Sequence, residues 1–197
     1  MTERRAAVER ETTETKVRVA LDLDGGAVQA STGVGFFDHM LMQLGRHSHM
    51  GLDVEVQGDL GIDAHHTVED TGLALGFALK QALGDKRGIR RYGDALVPME
   101  ESLAQIALDI SGRSLLVYEG DLRAGMVGAF DTDLTQEFLN ALCRGAGLTL
   151  HVRLLGSGNA HHAIEAVFKA LARALGEAVT LDERGGDEVP STKGVLN

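Results

Sequence analysis

The sequence predicts an α+β fold of two tandem repeats, each a set of strands with two helices on one face. Three observations carry this. The hexapeptide Ala64-His65-His66-Thr67-Val68-Glu69 returns as Ala160-His161-His162-Ala163-Ile164-Glu165. Each copy opens a helical pattern, Leu73, Phe77 and Ala78 after the first and Val167, Phe168, Leu171 and Leu175 after the second. Each copy is also preceded by the same series of strands, apolar helix and alternating strand. The series strands, helix, strand, helix is an α+β unit with its helices on one face of a sheet, and two such units would pack helix layer against helix layer. The first repeat is set at residues 1–87 and the second at 88–197, which includes a C-terminal tail.

Residues 1–12 are charged and read as a frayed start. Residues 13–22 alternate through Val17, Val19 and Leu21 as a strand, and Asp24-Gly25-Gly26 turns the chain into a second strand at 27–31. Residues 36–44 form an apolar helix with Phe36, Phe37, Met40, Leu41 and Leu44 on its buried side. A further strand covers 52–56. The first His-His helix then runs to Leu83 and stops at Gly84.

The second repeat follows the same order. Strands are expected at 94–100 and 103–110 around a turn, with a third at 114–118. An apolar helix at 134–142, a strand at 148–155 and the second His-His helix at 160–179 complete it. Superposing the copies, with a two-residue gap before the motif, sets His39 against Glu137.

Composition narrows the function. The chain has 197 residues, a net charge of -10 and an isoelectric point near 5.2, which argues against nucleic acid or an anionic membrane as partner. No apolar run approaches the ~18 residues of a membrane span, and residues 1–10 are too charged for a secretory signal. A soluble, cytoplasmic protein is expected. The single cysteine, Cys143, excludes an internal disulfide and fits a reducing compartment as a packed core thiol. Glycine is abundant at 25 and proline scarce at 2, which suits tight strand-helix turns better than linkers.

The duplicated motif is the chemical signal. Four of the eight histidines lie in its two copies. On a helix, positions i and i+4 share a face while i+1 is turned by about 100°. His65 and Glu69 can therefore hold one ion, as can His161 and Glu165. His66 and His162 point elsewhere, and if the two helices lie side by side each can reach the ion held by the other copy. A single histidine on a helix is ordinarily a cap or a core residue. Duplication that keeps the carboxylate in both copies points instead to two equivalent nitrogen-oxygen metal sites. Neither the His-Glu-x-x-His spacing of zinc proteases nor the Glu-x-x-His order of di-iron bundles is present.

Several cations lie near glycine in this acidic chain. They are Arg90 and Arg91 within residues 88–93, Arg113 in Ser111-Gly112-Arg113-Ser114, Lys169 one turn beyond Glu165, and Lys193 in Pro190-Ser191-Thr192-Lys193-Gly194. Arginine offers a bidentate fork to a phosphate, and serine and lysine add donors and charge.

From about Arg10 to the C-terminus the chain resembles the imidazoleglycerol-phosphate dehydratase family. The motifs that carry the resemblance are Gly35-Phe36-Phe37-Asp38-His39-Met40-Leu41, Asp63-Ala64-His65-His66-Thr67-Val68-Glu69-Asp70, Leu108-Asp109-Ile110-Ser111-Gly112-Arg113, Asn159-Ala160-His161-His162-Ala163-Ile164-Glu165-Ala166 and Pro190-Ser191-Thr192-Lys193-Gly194-Val195-Leu196. It implies two α+β repeats of the ribosomal protein S5 domain 2-like type, with the helices packed between two four-stranded sheets. It also implies a hollow octahedral homo-oligomer of roughly 24 copies, built from trimers, whose active sites are shared between subunits.

The resemblance further implies manganese, two ions per active site. His39, His66, His161 and Glu165 would hold one, and His65, Glu69, His162 and Glu137 the other; a carboxylate oxygen at 137 is an acceptable manganese ligand. Glu14, Glu69 and Glu165 carry over as catalytic residues, Glu14 as acid-base. The implied contacts to a small phosphorylated imidazole are Glu14, His39, His47, His65, His66 and His161, with the phosphate taken by Arg91, Arg113, Lys169, Ser191 and Lys193 and with Thr192 beside them. His49 and His151 are left as structural.

The implied reaction removes water together with a proton from a carbon that bears no adjacent carbonyl. The substrate's own imidazole would supply the missing handle. Held as imidazolate by metal acting as Lewis acid, it expels the hydroxyl, and the resulting diazafulvene makes the neighbouring C–H acidic enough for Glu14. Two other readings of the motif stay open at this point. One is a di-metal phosphomonoester hydrolase, which the lack of a rich aspartate cluster disfavours. The other is a purely structural metal that cements an oligomer.

Overall fold

Alternation decides the first sheet. In the computed structural model, which describes residues 3–196, β2 (Thr15–Asp22) turns Val17, Val19 and Leu21 to one face, and all three are buried. β4 (Gly51–Gly58) lies antiparallel beside it with Leu52 and Val54 on that same face. Short β3 (Val28–Ser31) pairs parallel to β4. The fourth strand, β1 (Arg5–Glu11), occupies residues expected to be frayed. It escapes a periodicity reading because its inward side is only Ala6, Val8 and Arg10, while Arg5, Glu9 and Glu11 line a charged outer side of an edge strand. Arg10 is matched by buried Asp70 at 2.8 Å, and Thr15 donates to the same carboxylate.

The second sheet has the same topology. β5 (Tyr92–Met99), β6 (Ser102–Asp109), β10 (Thr149–Gly156) and β7 (Leu115–Glu119) run in the order β5-β6-β10-β7, matching β1-β2-β4-β3 of the first. Between β7 and the next helix lies a small hairpin of β8 (Met126–Val127) and β9 (Phe130–Asp131). Two-residue strands are too short to show alternation, so this hairpin left no periodic trace in the sequence.

Four helices fill the space between the sheets. They are α1 (Gly35–Ser48), α2 (His65–Leu83), α3 (Leu134–Ala146) and α4 (Ala160–Val179). His49 caps α1 in a left-handed conformation (φ 62°), a structural duty. Each helix rests on the sheet of its own repeat and packs on a helix of the other repeat, α1 on α4 and α2 on α3. The α2–α3 crossing is close enough to need glycine. A Cβ on Gly76 would stand 2.7 Å from Leu142 O and Ala146 N, against bare Gly145.

The centre of the core is aromatic. Phe37 of α1 meets Phe138 of α3 edge-on at 5.4 Å, and Phe138 stacks on Phe168 of α4 at 5.2 Å. All three are fully buried, each removal from water contributing about 1.5–3 kcal/mol. Cys143 is a free, buried thiol of α3, as its apolar neighbours led us to expect. No helix among the described residues is long and apolar enough to cross a membrane.

The condition under which one chain could complete both ion sets is not met, for a packing reason. The two motif helices do not lie side by side within a chain, because α2 is taken up by α3 and α4 by α1.

Candidate metal centre

The start of α4 builds one half-site. Asn159 caps the helix, its Oδ1 accepting the His161 N–H at 2.9 Å, so the first turn begins at the histidine pair. One turn on, Glu165 Oε2 lies 3.2 Å from His161 Nε2. The packing of α1 on α4 brings His39 Nε2 to 3.7 Å from that oxygen. His39, His161 and Glu165 thus present one ligand atom each within 4.8 Å of one another, the one such group among the described residues. The Phe36 ring meets the His161 ring edge-on at 4.9 Å and walls the group on one side.

Glu165 is only 5% exposed. Burial would raise its carboxyl, but the Lys169 ammonium at 2.7 Å, with His39 and His161, outweighs that and holds it below the ordinary carboxylate range. The group is therefore an anion ready for a cation, held in place by a lysine of its own helix.

The start of α2 builds a second half-site. His65 Nε2 and Glu69 Oε2 stand 4.0 Å apart across one turn, and Arg144 of α3 reaches Glu69 Oε1 at 2.9 Å. Each of the two motif glutamates thus has one oxygen toward a histidine and the other on a cation. Glu137 also lies on α3, half-buried, and makes no hydrogen bond or ion pair among the described residues.

The second histidines of the two pairs behave alike and unlike the first. His66 Nδ1 is 2.9 Å from Asp59 Oδ2, and its Nε2 is 3.6 Å from Glu14 Oε2. His162 Nδ1 is 3.0 Å from Glu101 Oε2. The Asp59 hydrogen bond, outweighing burial and helped by Glu14, raises His66 above the usual imidazole value. Glu101 is held down to about 2, first by the backbone N–H of Asn159, then by its own N–H and by His162. Asp59, Glu101 and Arg144 were not singled out from the sequence. Glu101 had a detectable signal: it directly precedes β6 as Glu14 directly precedes β2.

Of the eight residues expected as ligands, then, one chain gathers His39, His161 and Glu165. His66 was assigned to the same ion but sits instead with Glu14 and Asp59. The pairing His65–Glu69 forms, while His162 and Glu137 stand apart from it.

The residues expected at the phosphate fall in two places: Lys169 lies by Met99 and Glu165 at one end of β5, while Arg91, Arg113 and the tail lie toward the other. Arg91 has φ 73° and spends its fork on Asp109 at 2.7 and 3.0 Å, donating also to Pro190 O at 2.8 Å. Arg113 is exposed next to buried Ser111, whose Oγ contacts the Arg113 backbone. The last residues of the tail are held by Arg91 on Pro190 and by Lys86 Nζ on Leu196 O at 2.5 Å. Between them Ser191 Oγ accepts the Lys193 N–H, with Thr192 and Lys193 exposed. His47, at the end of α1, is lowered by burial and by nearby Lys169 and Arg173. It borders a cavity of about 690 Å³ lined also by Arg90, Asp94, Arg173 and Glu177. His151 lies exposed on β10, away from these groups.

Comparison with known proteins accords with this geometry. The family model for imidazoleglycerol-phosphate dehydratase matches residues 32–175. Among curated proteins, the imidazoleglycerol-phosphate dehydratase of Azorhizobium caulinodans is 54% identical over 194 residues, covering 98% of each chain. That of Frankia casuarinae is 57% identical over 195 residues, covering 98% of this chain and 99% of its own. Among solved structures, the Staphylococcus aureus dehydratase superposes with a TM-score of 0.83 at 40% identity, covering 90% of this chain and 99% of its own. The Pyrococcus furiosus enzyme, in complex with (S)-C348, gives 0.84 at 34% identity over 96% of this chain and 100% of its own.

Proposed function

This chain belongs to the imidazoleglycerol-phosphate dehydratase family, and we propose that it works through two-metal centres completed between neighbouring copies of itself. Its activity is that of a hydro-lyase of histidine biosynthesis, taking D-erythro-imidazole-glycerol phosphate to imidazole-acetol phosphate.

The observation that carries the metal reading is the convergence of His39, His161 and Glu165. Two imidazoles and an ionised carboxylate suit a divalent first-row ion, and we assign manganese, two per site. His39, His66, His161 and Glu165 would hold one ion, and His65, Glu69, Glu137 and His162 the other. Within a chain these sets are split between the starts of α2 and α4, which pack on different helices. A second copy is needed to complete each, and an octahedral shell of about 24 copies built from trimers supplies repeated pairings of that kind. With its single cysteine free and buried, the enzyme is assigned to the cytoplasm.

When bound, the metal supplies Lewis-acid stabilisation of negative charge on the substrate's imidazole ring. The chain's own residues do the rest. Arg113, Lys169, Ser191, Thr192 and Lys193 orient the phosphate. Arg91 joins them by exchanging part of its hold on Asp109, and the tail anchored through Pro190 moves with it to shut out water. Glu14, 50% exposed at its side chain beside His66, takes the proton from carbon.

Chelator-treated protein, assayed for imidazole-acetol phosphate, should be inactive and should regain turnover with Mn²⁺. Turnover without any metal, or release of inorganic phosphate in place of the keto product, would overturn the reading.

A further inference from the structure

The two histidines of each pair are held in opposite ways. His65 and His161 face the glutamates of their own helices through Nε2. His66 and His162 instead give Nδ1 to a carboxylate from outside the helix, Asp59 at 2.9 Å and Glu101 at 3.0 Å. A ring that donates Nδ1–H keeps its Nε2 lone pair and is fixed in rotation, which a metal-binding imidazole needs.

Neither carboxylate is a passing surface contact. Glu101 is gripped by the start of α4, its Oε1 accepting the Asn159 N–H at 2.7 Å. Its side chain passes over Gly158, where a Cβ would stand 2.6 Å from Glu101 Cγ. The Oδ1 of Asp59 is buried with no partner among the described residues, while its Oδ2 takes the His66 hydrogen bond.

The repeats show a change of duty. β4 ends at Gly58 and β10 at Gly156, so the position after Asp59's strand is Ser157 in the second repeat. Ser157 donates to Asp121 O and does not serve the ring. In its place Glu101, the residue before β6, holds His162. Its counterpart before β2 is Glu14, which faces the other nitrogen of His66 at 3.6 Å.

Resting on the metal reading above, we infer that Asp59 and Glu101 are positioning residues: each fixes one second histidine through Nδ1, which leaves Nε2 to complete a centre begun by another copy. Glu101 does for His162 what Asp59 does for His66, which leaves Glu14, its counterpart before β2, to act on substrate.

The test measures Mn²⁺ affinity and stoichiometry of the full protein by the EPR signal of free ion, alongside metal-free thermal stability. Glu101→Ala and Asp59→Ala should each weaken binding by roughly 10–100-fold. Glu101→Gln and Asp59→Asn, whose amide oxygens still accept Nδ1–H, should recover most of that loss. His162→Ala serves as reference and should cost one ion per chain. If His162→Ala keeps both ions, the metal reading itself fails. If it loses an ion while Glu101→Ala and Asp59→Ala bind as wild type, or if alanine and amide variants lose affinity equally, the positioning role fails alone.

Discussion

Lys169 Nζ lies 2.7 Å from Glu165 Oε1, in the turn of α4 that follows His161 and Glu165. One cation thereby holds a buried carboxylate in its ionised form at the proposed metal site. Lys169→Met should let the Glu165 carboxyl rise, because burial then acts with less opposition. Since the carboxylate must be deprotonated to bind metal, the midpoint of a Mn²⁺-binding pH titration should move to higher pH in this variant.

Glu14→Gln should leave substrate affinity near wild type and cut turnover at least ~100-fold, the contribution of a positioned base. Steady-state kinetics with imidazoleglycerol phosphate separate the two. Near-normal turnover would remove Glu14 from proton transfer.

Gly76→Ala tests the helix crossing. Its Cβ would meet backbone atoms of α3 at 2.7–2.8 Å, none of which can swing aside as a side-chain tip can. A loss of at least about 2 kcal/mol in denaturant unfolding is expected, without change in the unfolding slope.

Alkaline pH should weaken the fold through two buried groups. Burial pushes the Cys143 thiol from 9.0 to about 12 and the Tyr118 phenol from 10.0 to about 12. Both are raised in the folded state, so their contribution is whole below the unfolded values and is lost as pH climbs toward 12. Between about pH 9 and 12 each group contributes a slope of up to about 1.4 kcal/mol per pH unit once its unfolded form ionises. Cys143→Ala should show a shallower alkaline loss than wild type in denaturant melts across that window.

How far the sequence could be read follows from which residues carry period. The motif helices and β2 announce themselves, since Val17, Val19 and Leu21 alternate and α4 keeps Val167, Phe168, Leu171 and Leu175 on one face. β1 does not, since Arg10 stands among its inward residues and is neutralised only by Asp70, sixty positions away. The i,i+4 His–Glu pairs could be foreseen because they are local to one helix. The separation of His66 from His161 could not, because it depends on α2 choosing α3 and α4 choosing α1, a packing decision that glycines 72, 76 and 145 help to make. The anchors Asp59 and Glu101 lie outside the motif, and only the comparison of the two hairpins pointed toward the second.

The sharing of sites between copies is tested most directly by mixing two dead variants. His66→Ala removes a ligand from the α2 side and His161→Ala one from the α4 side, so either protein alone should be inactive. Dissociated together and reassembled with Mn²⁺, they should pair intact α2 sides with intact α4 sides at about a quarter of the sites by random assembly, and dehydratase activity should return to about that fraction of wild type. A mixture that reassembles fully yet stays as inactive as its components would contradict centres built from two chains.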